Sequence, residues 1–259
     1  RDARFQSPGE LLLVRGVTPE MFFGSEERRG LVDLITVDSE SPNTDANGAP
    51  RILLNEFRIW DEASVRESIM ARFGSLLTMY EAQEIFRGLT ELTDLGYDGY
   101  TSLAQLASAA GLDFGRIAQI IDLCTVETGP IERGKVNMNT APLEVLAALP
   151  GSSETLAQAI VVRREAQPFQ SLGDVVTVLV DMPDGPAVFE QMIDHVRTKS
   201  SSFLIESMGQ TSTGRTHRTL SALVRRTPDA VNVIRQVERD QPLPPWDEEA
   251  QQSVAIARR

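Results

Sequence analysis

Apolar residues recur at helical spacing between positions 61 and 80, where Val65, Ile69, Phe73 and Leu76-Leu77 share one face. Such a period predicts an amphipathic helix. Positions 82–92 carry it on through Ile85, Phe86 and Leu89, so both stretches read as core-facing helices. A shorter pattern, aromatic-x-Ser-x-x-acid/amide-aliphatic, occurs three times: Phe5-Gln6-Ser7-Pro8-Gly9-Glu10-Leu11, Tyr100-Thr101-Ser102-Leu103-Ala104-Gln105-Leu106 and Phe169-Gln170-Ser171-Leu172-Gly173-Asp174-Val175. Each serine suits a helix N-cap, and Glu10, Gln105 or Asp174 three residues on suits a capping box. The aromatic two places earlier is expected to pin the entering chain against the core. Each helix ends soon: Thr18-Pro19 starts a second helix after the first copy, Asp113 does so after the second, and Asp181-Met182-Pro183-Asp184-Gly185 turns the chain after the third. Each copy is a helix–turn–helix.

A further pattern follows the first two copies. Leu34-Ile35-Thr36-Val37 leads through a polar loop to Gly48 and Arg51-Ile52-Leu53-Leu54-Asn55, and Leu123-Cys124-Thr125-Val126 leads to Gly134 and Lys135-Val136-Asn137-Met138-Asn139. A block of this length, recurring at a spacing of about 90 residues, reads as a duplication that builds one helical body. From 198 the character changes. Positions 202–208, 215–226 and 230–237 are β-prone, with turn-like residues at 209–214 and 227–229, and predict an antiparallel meander over 202–237. The fold class expected is therefore α+β. A helical domain spans 1–199 in units of about 1–95 and 96–199, a small sheet covers 200–240, and a polar tail fills 241–259 after the breaker Gln241-Pro242-Leu243-Pro244-Pro245.

Composition narrows the function. Of 259 residues, 41% are apolar and 24% charged, ordinary globular values. Lys+Arg 25 against Asp+Glu 37 leaves a net charge of −12, which argues against broad binding to nucleic acid or anionic membrane. No apolar stretch approaches the roughly 20 residues that span a bilayer. Arg1-Asp2-Ala3-Arg4 leads into a polar turn with no secretory signal, so the chain reads as a fragment. Cys124 is the single cysteine, read as a core thiol, and His195 and His217 are the only histidines. There is no phosphate loop, nucleophile elbow or His-x-x-His spacing, so the chain does not read as an enzyme.

The most specific stretch is Asn137-Met138-Asn139-Thr140-Ala141-Pro142 followed by Leu143-Glu144-Val145-Leu146-Ala147-Ala148-Leu149-Pro150-Gly151, then Leu156 to Arg163-Arg164 and Pro168-Phe169-Gln170-Ser171. Asn139-Thr140 would cap a helix with Pro142 in its first turn, Pro150-Gly151 would end it, and a second helix would complete a helix-hairpin-helix. This stretch resembles two families. One is the competence-type DNA receptor with its helix-hairpin-helix. The other is the K-type minor pseudopilin of type II secretion systems (general secretion pathway protein K). A phosphate-binding hairpin needs a second glycine, and here Gly151-Ser152-Ser153-Glu154 offers a carboxylate instead. Likeness to the pseudopilin also extends to Ser7-Pro8-Gly9-Glu10-Leu11 with Gly16-Val17-Thr18-Pro19, and to 202–205 and 218–226.

That resemblance implies a non-enzymatic tip subunit of a pseudopilus, with SAM-like helical repeats and a pilin-type sheet. Its expected partners are other minor pseudopilins, with contact to the secreted substrate or outer-membrane channel, and no nucleic acid. It implies a periplasmic domain anchored in the inner membrane through an N-terminal helix absent from this chain. The alternative is a helix-hairpin-helix DNA-binding module. Some K-type pseudopilins bind calcium, and Asp38, Glu40, Asn43, Asp45 and Asn47 form an oxygen-rich loop that is the candidate Ca²⁺ site, although the spacing is not that of an EF-hand and a solvated loop is the plainer reading. Asn55, Asn137 and Asn139 read as caps or turn-stabilising side chains. Glu81, Glu84, Glu91 and Asp94 read as a solvated helix face, and Arg163-Arg164 and Arg225-Arg226 as salt-bridged surface residues.

Overall fold

Side-chain oxygens open the helices in the computed structural model, which describes residues 5–59, 62–210, 217–227 and 229–239. Thr18 Oγ1 accepts from Met21 N, Thr78 Oγ1 from Glu81 N, Asp113 Oδ1 from Arg116 N, Ser153 Oγ from Leu156 N and Ser171 Oγ from Asp174 N. Each hydrogen bond satisfies an amide that has no partner within the helix. Packing divides the chain into the units Arg1–Ser200 and Ser201–Arg259.

The first unit begins with a 3₁₀ turn, Pro8–Leu13, then α1 (Pro19–Phe23), a hairpin of β1 (Gly24–Ser25) and β2 (Arg28–Arg29), and a second 3₁₀ turn, Leu31–Asp33. β3 (Glu40–Pro42) and β4 (Ile52–Leu53) follow, then α2 (Glu62–Phe73) and α3 (Met79–Asp94). Next come α4 (Gln105–Ser108), α5 (Phe114–Ile120), the 3₁₀ turn Ile121–Leu123, β5 (Cys124–Thr125), β6 (Ile131–Arg133) and β7 (Val136–Asn137). α6 (Leu143–Ala147), α7 (Glu154–Ala166), α8 (Leu172–Val180), α9 (Gly185–Met192), the 3₁₀ turn Ile193–His195 and β8 (Val196–Arg197) complete it.

Its core is one continuous cluster that joins Ile85 and Leu89 of α3, Ile117 and Ile120 of α5, Val175 and Leu179 of α8, and Phe189 and Met192 of α9. α5 and α8 lie so close that a Cβ on Gly173 would stand 2.0 Å from Ala118 O, so no larger residue fits there without moving a helix. The Phe114 and Phe189 rings meet edge to face at 5.3 Å. The helical stretch expected over 61–80 breaks at Leu77, because Thr78 starts α3 with a Thr78–Glu81 capping box. Ile69, Phe73 and Leu77 are buried as the period implies, but Leu76 is exposed in the 3₁₀ turn, where the helical phase is lost. The Val65 side chain lies outside the described residues.

Glu81 has a second role. Arg116 Nη2 donates to its Oε2 at 3.0 Å, and this guanidinium holds the carboxyl down at about 2, against an ordinary 4.5. A carboxyl depressed in the folded state stabilises the fold fully above its unfolded pKa and loses that contribution as pH falls through the folded value. Glu81→Gln should therefore flatten the acid limb of an unfolding-against-pH curve between 4.5 and about 2 and leave its shape above that window unchanged.

Cys124 is fully buried on β5, and its thiol donates to Ile120 O at 3.3 Å. Burial pushes that thiol up to about 12. Alkylation by iodoacetamide at pH 8 should proceed only at the rate of unfolding; reaction at the rate of a free thiol would contradict this placement.

The second unit is a three-stranded antiparallel sheet in the order β11-β10-β9, from β9 (Ser202–Gln210), β10 (His217–Arg226) and β11 (Val231–Arg239). The β10–β11 turn closes with Thr227 N donating to Ala230 O at 2.8 Å and Ala230 N to Thr227 Oγ1 at 3.1 Å. Registers Val224↔Phe203, Val224↔Val233, Ala222↔Ile205 and Arg226↔Val231 put these positions on one face, because strand side chains alternate. Along the edge strands this face is open: Phe203, Ile205, Val231 and Val233 are exposed. Among the described residues the architecture is α+β, with no helix long and apolar enough to cross a membrane. The turn at 211–216 and the tail at 241–259 lie outside the described residues.

Candidate functional site

Two asparagines organise the first unit. Asn55, just past β4, donates through Nδ2 to Tyr100 O and accepts at Oδ1 from Tyr100 N, both at 2.8 Å. Asn139, just past β7, does the same to Phe169, with both distances 2.9 Å, and its Nδ2 also donates to Thr198 O at 2.9 Å. A side-chain amide presents one donor and one acceptor in a plane, so it mimics a neighbouring strand for a single residue. The clamped residue is in both cases the aromatic that precedes a serine cap. Both rings are buried, and the Tyr100 hydroxyl reaches Ile85 O at 2.7 Å.

The strands beside these clamps agree too. β4 runs parallel to β5 with Ile52↔Cys124 and Leu53↔Thr125, and β7 runs parallel to β8 with Val136↔Val196 and Asn137↔Arg197. The three serine motifs also share one contact. Glu10 Oε1 accepts from Gln6 N and Ser7 N at 2.7 and 3.0 Å, Gln105 Oε1 from Thr101 N and Ser102 N at 2.7 and 3.2 Å, and Asp174 Oδ2 from Gln170 N and Ser171 N at 2.7 and 3.1 Å. Finally, Asp122 Oδ1 accepts from Leu172 N at 3.2 Å and Asp194 Oδ1 from Leu103 N at 3.0 Å. Each block thus caps the other block's serine-led helix. The sequence reading missed this exchange and also missed β8. The available signal was an acid at one place before Leu123-Cys124-Thr125 and before His195-Val196-Arg197.

A buried ionic cluster ties the blocks together. Arg51 reaches Asp122 Oδ1 at 3.2 Å and Glu132 Oε1 at 2.9 Å, while Lys135 reaches Glu132 Oε1 at 2.8 Å and Glu127 Oε1 at 3.1 Å. Arg197 lies nearby, its Nη2 donating to Ser39 Oγ at 3.2 Å, and burial lowers its pKa. Carboxylates here are neutralised by fixed cations, an arrangement suited to holding loops rather than to proton transfer.

The candidate calcium ligands are engaged elsewhere. Glu40 pairs with Arg133 at 2.8 Å. Asp45 Oδ1 accepts from Asn47 N and Ala49 N at 2.9 and 2.8 Å. Asn43 Nδ2 donates to Thr125 Oγ1, Glu127 O and Gly129 O, which leaves its Oδ1 buried with no donor. Asn47 is exposed, and Asp38 N donates to Thr36 Oγ1. Among the described residues no three His, Cys, Asp or Glu side chains gather as a metal set. The oxygens present do not fit a Ca²⁺ ion, which takes 6–8 ligands.

Around Asn139 the structure corrects the expected cap. α6 has Pro142 as its N-cap with no side-chain hydrogen bond, since Asn139 is turned away to clamp Phe169. Thr140 N and Ala141 N both donate to Asn137 O, and Asn137 Oδ1 accepts from Asn139 N at 2.9 Å, a local turn. Pro150 and Gly151, the latter at φ 71°, carry the chain from α6 to Ser153, and a Cβ on Gly151 would meet Gln191 of α9 at 3.2 Å. Arg163 and Arg164 also differ from expectation. Arg163 Nη1 donates to Gln167 O with its guanidinium over the Phe169 ring, and Arg164 Nη1 donates to Met138 O and Ala141 O. They hold main-chain carbonyls because the last turn of α7 lies against the 138–141 segment. Glu84 and Glu91 both pair with Arg87, so that helix face is ion-paired.

This segment is also what other proteins share. Residues 136–190, from β7 into α9, match the family "Type II secretion system (T2SS), protein K". The match supports assignment to that family and, broadly, a role in type II secretion and protein transport. It takes in the Asn139–Phe169 clamp, α6, α7 and α8. No curated protein and no solved structure matches the chain.

Proposed function

We propose that the chain is the periplasmic part of a minor pseudopilin of a type II secretion system, acting by binding rather than by catalysis. The observation that carries this reading is the family match over 136–190. The open apolar face of the sheet supports it, because a row of exposed Phe203, Ile205, Val231 and Val233 calls for a covering element. In a pseudopilin that element is the N-terminal hydrophobic helix, which also anchors the protein in the inner membrane. The helical unit is then the head, made of helix-hairpin-helix or SAM-like repeats, and it assembles with other minor pseudopilins. A head of this bulk would stop further subunits from docking above it, so the subunit belongs at the pseudopilus tip, where it nucleates assembly and supports export.

The test is loss of the protein in its source organism. Type II substrates should accumulate in the periplasm and disappear from the medium, and minor pseudopilins should co-purify with the tagged wild-type protein. Normal export, or co-purification of nothing from the secretion machinery, would sink the proposal. A gel-shift titration addresses the DNA-binding alternative: binding that weakens steeply with added salt would favour it over the secretion role.

A further inference from the structure

Residues 5–37 contain half of the arrangement that the two later blocks complete. The Ser7–Glu10 contact, α1, the 3₁₀ turn Leu31–Asp33 and Leu34-Ile35-Thr36-Val37 follow the same order as Ser102–Gln105, α5, Ile121–Leu123 and β5. They also follow the order of Ser171–Asp174, α9, Ile193–His195 and β8. In both later blocks a strand ending in asparagine closes the unit, pairing parallel to β5 or β8 and clamping Tyr100 or Phe169. Among the described residues no strand pairs with Ile35 and Thr36, and no side-chain amide brackets Phe5. Exposure records the difference: Phe5 is 46% exposed, whereas Tyr100 and Phe169 are each 2%. Leu13 and Phe23 of this half-block are also exposed.

We propose that residues 5–37 form a docking unit for an extended segment of another protein, of the pattern aliphatic-x-Leu/Met-Asn. That segment lies parallel to Ile35–Thr36 and sets its asparagine amide across the backbone of Phe5. The chemistry of the occupant is that of the two internal examples, Ile52-Leu53-Leu54-Asn55 and Val136-Asn137-Met138-Asn139, whose Leu54 and Met138 are fully buried. Strand addition of this kind draws affinity from main-chain hydrogen bonds and specificity from alternate side chains. The occupant comes from a different protein because both such segments of this chain are already used on Tyr100 and Phe169, as they would be in a second copy. Two first half-blocks cannot exchange caps either. Asp33 stands where Asp122 and Asp194 stand, but the position equivalent to Leu103 and Leu172 is Pro8, which has no N–H to offer. The proposal stands on this recurrence and not on the secretion reading, so failure of either leaves the other intact.

The probe is a peptide of residues 134–141, Gly-Lys-Val-Asn-Met-Asn-Thr-Ala, titrated into the ¹⁵N-labelled chain. Amide shifts are expected at Phe5, Ile35, Thr36 and Val37, with affinity about tenfold weaker for the same peptide carrying Asn139→Ala. Thr36→Pro, which removes an edge amide, should abolish the shifts while the unfolding midpoint stays within error of wild type. Absence of shifts at these four residues, or equal affinity for the two peptides, overturns the proposal. So do shifts confined to Phe169 and Val196, which mean that the peptide has displaced an internal strand. Self-association in sedimentation velocity that Thr36→Pro abolishes would give the face to a second copy and likewise overturn it.

Discussion

Glu132→Ala is expected to destabilise the chain by about 3–5 kcal/mol, the range for removing one partner from a buried ion pair. Glu132 is 2% exposed and is the one carboxylate shared by Arg51 and Lys135. Without it, Arg51 keeps Asp122 and Lys135 keeps only Glu127, whose side chain is 38% exposed and less able to hold a desolvated ammonium. Most of the loss is the cost of leaving buried cations underneutralised, not the net worth of the ion pairs. Glu132→Gln, which keeps an acceptor but loses the charge, should fall between wild type and Ala. Urea unfolding at neutral pH measures both, and an alanine variant within 1 kcal/mol of wild type, on the scale of an exposed pair, would show that the cluster is solvated.

The second large effect is at Asn139. Its amide makes three hydrogen bonds to main-chain groups, two with Phe169 and one with Thr198. Asn139→Ala leaves those groups without partners beside a buried ring, and a loss of about 3 kcal/mol is expected, since each orphaned buried group costs roughly 1–3 kcal/mol and water recovers part of it. Asn139→Asp tests the cause, because it keeps the acceptor for Phe169 N but offers no donor to the two carbonyls. It should be at least as damaging as alanine, with a carboxylate facing carbonyl oxygens. Asn55→Ala removes the two equivalent bonds at Tyr100 and should cost less, in proportion to its missing third contact. If Asn55 and Asn139 differ in the opposite order, the clamps do not carry the load assigned to them.

Several features could be read from residues near one another in the chain. Ser171 with Asp174, Thr18 with Pro19, and Asp113 cap helices at the spacing that announces them, because a cap depends on residues only three places apart. The β-prone runs near the C-terminus pair in the meander expected, since each turn joins consecutive strands. Spacing also singled out Asn55 and Asn139, yet as local caps. Their partners lie 45 and 30 residues away, and no periodicity encodes a separation of that kind. The same limit hid the Arg51–Glu132–Lys135 cluster. Phe5 shows the limit from the other side: its motif matches Tyr100 and Phe169, but a motif does not say whether anything covers it.

The sequence by itself determined the helix starts, the α+β class, the buried lone thiol and the lack of a recognisable catalytic motif. All of these follow from composition or from relations within one or two turns of chain. The tertiary structure decided which asparagine meets which aromatic, how Asp122 and Asp194 exchange caps, and which cations share Glu132. It also decided that the apolar residues of 5–37 and of one sheet face stay open. These outcomes depend on where distant segments meet, and hydrophobic patterning says only that a face must be buried, not what will bury it.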